Sequence, residues 1–92
     1  MHLILGFGAT GASYLRYLNK KNISALIMDS RDRPSGLSEF DNLNNDNFLL
    51  GKFDVGVLDQ VKTILVSPGI DYGNEILEAA RKKRIKIVTD IE

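Results

Sequence analysis

A mostly parallel, five-stranded α/β sheet with helices on both faces is the fold this sequence predicts. Three observations lead there. Short apolar runs alternate with helix-patterned segments along the whole chain. The clearest of those runs, Ala25-Leu26-Ile27-Met28 and Thr63-Ile64-Leu65-Val66, show no alternation with polar residues, as strands buried on both faces of a parallel sheet require. Third, the opening run Leu3-Ile4-Leu5 breaks into Gly6-Phe7-Gly8-Ala9-Thr10-Gly11, and a helix pattern follows at once. This is G-x-G-x-x-G set between a strand and a helix.

The elements follow in order. Residues 2–5 form the first strand. Residues 10–20 form a helix whose Ala12, Leu15 and Leu18 make an apolar stripe, with Arg16, Asn19 and Lys20 facing outward. Tyr14 and Tyr17 are read as partly buried residues of that helix rather than stacking platforms. Lys20 and Lys21 suit its negative end, and Asn22 can stop it in the left-handed conformation. Residues 25–28 are the second strand. Residues 30–47 are rich in Asp, Asn, Ser and Gly, whose side chains compete with backbone pairing, so a surface loop is expected with at most one helical turn near 37–40. Residues 48–50 form a short strand and 55–58 a weak helical segment. The strand at 63–66 is stopped by Ser67-Pro68-Gly69. Asn74 is a suitable cap for a helix reaching Lys83 that buries Ile76, Leu77 and Ala80, and residues 85–88 close the sheet. Right-handed crossovers join the parallel strands.

Bulk properties narrow the function. A chain of 92 residues is one small domain, 1–92, without room for a second, catalytic one. Twelve Lys and Arg balance twelve Asp and Glu, so no net field recruits nucleic acid or an anionic membrane. The absence of cysteine removes disulfides and thiolate chemistry and is compatible with a cytoplasmic protein. No apolar run approaches the ~18–20 residues that span a bilayer. A soluble cytoplasmic domain is expected, with no nucleic-acid or membrane partner.

Open parallel sheets bind ligands beyond the carboxyl ends of their strands, and three loops of this chain fall there. In the first, Gly6 permits the tight turn, Gly8 a close backbone approach to a ligand, and Gly11 close packing of the helix. The free N–H groups of the helix start and its positive dipole end favour a phosphate or pyrophosphate. A purely structural turn is the plain alternative. The second loop is Asp29-Ser30-Arg31. Asp29 lies 18 residues past Gly11, near the usual place of the acid that takes bonds from a ribose or base. Ser30 and Arg31 add donors, and an exposed turn aspartate with a solvated arginine is the alternative. The third is Ser67-Pro68-Gly69-Ile70, where glycine lets a backbone N–H approach a ligand or the segment simply ends a strand. The only histidine, His2, stands near the chain start, so no Ser-His-Asp arrangement is expected. The sequence contains no P-loop and no metal-ligand cluster. Arg81-Lys82-Lys83-Arg84 reads as cations at a helix C-terminus. No catalytic residue and no metal ligand are assigned.

Taken together, Gly6-Phe7-Gly8-Ala9-Thr10-Gly11, Asp29-Ser30-Arg31, Val66-Ser67-Pro68-Gly69-Ile70 and Asp90-Ile91-Glu92 resemble, in order and spacing, the N-terminal domain of the Mur ligases, above all the D-glutamate-adding members. The resemblance covers the whole chain. It implies a Rossmann-like domain that holds the UDP part of UDP-N-acetylmuramoyl-L-alanine, within a three-domain enzyme of peptidoglycan synthesis. ATP and Mg would sit in a second domain and activate the substrate carboxylate as an acyl phosphate, which the amine of D-glutamate then attacks. On that resemblance Ala9 and Thr10 meet the pyrophosphate through backbone N–H groups. Asp29, Ser30 and Arg31 surround the uracil and ribose, and Ser67 and Gly69 lie beside the sugar diphosphate. The chain would then be an N-terminal piece of the ligase, without cofactor and inactive alone. Two other functions fit the glycine loop: an NAD-binding domain of a dehydrogenase, with Asp29 on the adenosine ribose, and a nucleotide-sensing regulatory domain.

Overall fold

The computed structural model describes residues 1–31, 48–51, 54–67 and 75–88. It contains the strands β1 (His2–Leu5), β2 (Ala25–Asp29), β3 (Phe48–Leu50), β4 (Thr63–Val66) and β5 (Lys86–Val88). Two helices, α1 (Ala9–Lys20) and α2 (Glu75–Lys82), and a 3-10 segment over Val55–Gln60 lie between them. The five strands form one sheet in the order β3-β2-β1-β4-β5, and each pairing is parallel. The α/β, Rossmann-like expectation is met.

Each element has a local cause. On β1, Leu3 and Leu5 face one side of the sheet and Ile4 the other, as the two-residue side-chain period dictates. Leu3, Leu5, Met28, Ile64 and Val66 meet Ile76, Leu77 and Ala80 of α2 and Leu58 of the 3-10 segment. On the opposite face Ile4, Ile27 and Leu65 meet Ala12, Leu15 and Leu18 of α1. The helical stripes read from the sequence are therefore the buried ones. The paired reading of the tyrosines fails on one side: Tyr14 is buried, but Tyr17 is 48% exposed, with the Lys21 ammonium 5.9 Å from its ring centroid. One position on, at Leu18, the helix turns back into the core.

Both helices end the same way. Ile23 N–H donates to Leu18 O and Asn22 N–H to Asn19 O, while Ile85 N–H donates to Ala80 O and Arg84 N–H to Arg81 O. These paired bonds are the Schellman arrangement, which requires a left-handed residue just past the helix. Asn22 (φ 57°) and Arg84 (φ 60°) fill that place. Among the described residues no helix is long and apolar enough to cross a membrane. The expected helical turn at 37–40, most of the surface loop, and the cap Asn74 lie outside the described residues.

The strand order positions the site. β1 is central, α1 carries the chain from β1 to β2 on one side, and β4 and β5 lie on the other side of β1. The crevice beyond the carboxyl ends of β1 and β4 is thus a topological switch point, the place where open α/β sheets take their ligands.

Candidate functional site

The glycine loop leaves β1 at that switch point and is tied to both neighbouring strands. Gly6 has φ 89°, a conformation that side chains disfavour. Its N–H donates to Met28 O at 2.7 Å, and its carbonyl accepts the Ser67 hydroxyl at 2.8 Å. Ser67 is buried and its own N–H donates to Leu5 O at 3.0 Å. A Cβ on Gly11 would lie 2.3 Å from the Gly6 carbonyl oxygen, so helix and loop meet with no space for a side chain. Phe7, between the first two glycines, is fully buried, and its ring meets Phe48 of β3 edge to face at 5.4 Å.

The loop ends at Gly8, the cap of α1, where no side chain caps the helix and no acidic residue stands in its first turn. The N–H groups of that turn have no acceptor within the helix, and no carboxylate from the first turn itself offsets the positive end of the dipole. Gly8 and Thr10 are half-buried and Ala9 is exposed. A buried, pinned loop thus presents open backbone donors to solvent, which is the arrangement an anionic phosphate needs.

Asp29 ends β2 beside this loop. It is 2% exposed, which excludes the exposed-turn alternative. Its Oδ2 accepts the Phe7 N–H at 2.7 Å and the Arg31 Nη2 at 2.7 Å. Its Oδ1 accepts the Arg31 backbone N–H at 2.8 Å and the Arg31 Nε at 3.0 Å. Burial alone would push this carboxyl up. The Arg31 guanidinium bonds, then the Phe7 and Arg31 backbone N–H groups and the Arg31 charge, outweigh it and hold the carboxyl below the ordinary aspartate value. The same bonds push Arg31 up. The Arg31 side chain remains 57% exposed, and Ser30 beside it is exposed.

The structure therefore brings Gly6, Gly8, Ala9, Thr10, Gly11, Asp29, Ser30, Arg31 and Ser67 to one end of the sheet. Gly69 and the segment 90–92 lie outside the described residues. Residues 1–89 match the family described as Mur ligase MurD-like, N-terminal domain. The chain belongs to this family. It is 40% identical over 92 residues to the UDP-N-acetylmuramoylalanine–D-glutamate ligase of Shewanella violacea, which covers 99% of this chain and 20% of the relative. The enzyme of the same name from Nitrosococcus oceani is 40% identical over 98% of the chain and 20% of its own length. That of Legionella pneumophila is 37% identical over the full chain and 21% of its own length. The chain spans about a fifth of the length of these relatives.

For this MurD-like domain, sequence reasoning missed two features. One is Phe7 as an anchor of the loop. An aromatic residue between two glycines is a signal for it, since so bulky an apolar side chain there must find a core. The other is the set of side-chain ties, Ser67 to Gly6 and Asp29 to Phe7, which join residues 61 and 22 positions apart and carry no local signature.

Proposed function

We propose that this MurD-like domain holds the UDP portion of UDP-N-acetylmuramoyl-L-alanine for an ATP-dependent ligase that adds D-glutamate during peptidoglycan synthesis in the cytoplasm. The observation that carries the reading is the glycine loop. It is pinned from β2 and β4 and opens the uncapped start of α1 at the switch point of the sheet. The relatives' printed name supplies the substrate class.

In this reading the backbone N–H groups of Ala9 and Thr10 donate to the diphosphate, and the dipole of α1 stabilises its charge. Ser30 and Arg31 face the uracil and ribose, while Ser67 and Gly69 border the sugar diphosphate. The work of the chain is binding and orientation, because holding the substrate in one pose lowers the entropic part of the later barrier. Among the described residues no three His, Cys, Asp or Glu side chains converge on a metal. We assign ATP, Mg and D-glutamate to protein beyond this chain, and no catalytic residue to it. Calorimetric titration of the 92-residue chain with UDP and NAD tests the reading. UDP binding the more tightly supports it. Tighter NAD binding, weakened selectively by Asp29→Ala, would instead favour a dehydrogenase domain. Amide formation by the chain alone, given ATP, UDP-N-acetylmuramoyl-L-alanine and D-glutamate, would overturn the assignment of catalysis elsewhere.

A further inference from the structure

A carboxylate offers about four acceptor positions, and the chain itself fills them at Asp29 with Phe7 N–H, Arg31 N–H, Arg31 Nε and Arg31 Nη2. At 2% exposure such a group has little left to offer a ribose hydroxyl. Its partners lie in two different loops. Phe7 belongs to the glycine loop, directly before the helix cap Gly8, and its buried ring is anchored on Phe48. Arg31 belongs to the loop after β2, with its guanidinium held by a two-point fork and its side chain still 57% exposed. A fork of this kind fixes the plane of the group as well as its position.

We propose that Asp29 is a positioning residue that couples the diphosphate-binding loop to the base-binding loop, so that the two halves of a nucleoside diphosphate are recognised cooperatively. The proposal rests on the reading of the glycine loop as a nucleoside-diphosphate site. Ordering Arg31 against a base tightens the Asp29 fork. The same carboxylate then holds Phe7 N–H, and with it the donors at Gly8, Ala9 and Thr10, in the geometry a phosphate needs. A ligand at either half thereby meets part of the ordering already done.

The test separates the ligand into pieces. Inorganic pyrophosphate and uridine are titrated into the 92-residue chain singly and together, for wild type, Asp29→Asn and Arg31→Lys. The Asn variant keeps size and an oxygen for Phe7 N–H but loses the charge that holds the fork. The Lys variant keeps the charge but not the two-point fork, and thermal melts of both variants confirm that each is folded before it is titrated. Wild type is expected to bind pyrophosphate about fivefold more tightly when saturated with uridine, the lower end of ordinary site-to-site coupling. Both variants should bring that factor to about one, since each removes the coupling. Asp29→Asn should also weaken pyrophosphate alone, whereas removing a negative charge near an anion would by itself strengthen it. Independent binding of the fragments to wild type, or an undiminished factor in both variants, overturns the coupling and leaves the site reading standing. A wild-type chain that binds neither pyrophosphate nor UDP overturns both.

Discussion

Replacing Gly11 with alanine isolates the close contact between α1 and the glycine loop. In an exposed helix the change should help, since alanine is favoured over glycine by up to about 1 kcal/mol. Here the new Cβ lands 2.3 Å from the Gly6 carbonyl oxygen and 3.2 Å from a Phe7 ring carbon. The first neighbour is backbone, and it is held at 2.8 Å by Ser67 while Gly6 N–H is held at 2.7 Å by Met28. Relief requires α1 to back away or the loop to leave its ties. Overpacking of this kind costs about 1–3 kcal/mol, and loosening the Ser67 bond adds about 1 kcal/mol. The propensity gain offsets about a third of the total, leaving a loss of about 1–3 kcal/mol. For a chain of 92 residues each kcal/mol moves Tm by about 4–8 °C, so Gly11→Ala should melt at least about 4 °C lower. Urea and thermal unfolding of both proteins measure this. A variant as stable as wild type would refute the argument, because it would show that the loop yields freely and is not held by β2 and β4.

Gly8→Val should cost only about 1 kcal/mol for the poorer helix cap, since Gly8 has φ −86°, open to any residue, yet should abolish binding of pyrophosphate and UDP alike by filling the approach to the helix start; calorimetry with both ligands checks it. Arg84→Gly should raise stability by up to about 1 kcal/mol, because Arg84 holds φ 60° at the end of α2, and a thermal melt reads the gain. The Asp29 carboxyl lies below its ordinary value of 3.8 in the folded chain. Its contribution is therefore fully present above that value and is lost as pH falls through the lower folded value, where the unfolded chain binds the extra proton. Urea unfolding from pH 6 down to about pH 2 should show wild type losing stability over this range faster than Asp29→Asn.

The legible part of the fold was the part written in local pattern. The unbroken apolar runs at 25–28 and 63–66 became central strands, and the Ala12, Leu15 and Leu18 stripe became the buried face of α1. Asn22 announced its left-handed stop because asparagine tolerates that conformation. Arg84 occupies the equivalent place after α2 with no such signal, and there the C-terminal bonds of Ile85 and Arg84 decide against residue preference. The place of Asp29 at the end of β2 is legible from the apolar run before it, but its partners are not. A carboxylate after a strand looks the same in sequence whether it faces a ligand or, as here, four donors of its own chain. Ser67 stands out in the sequence through the loop it begins, while its bond to Gly6 depends on β1 and β4 being neighbours, which only the strand order reveals.

The most direct test of the account is an amide-resolved NMR titration of the 92-residue chain with UDP-N-acetylmuramoyl-L-alanine. Saturable shifts should appear first at Ala9, Thr10 and Gly11, where the helix start meets the diphosphate, and at Ser30 and Arg31, where the base would lie, with NAD producing weaker changes at the same concentrations. Shifts confined to other parts of the sheet, or a response to NAD stronger than that to the UDP compound, would contradict it.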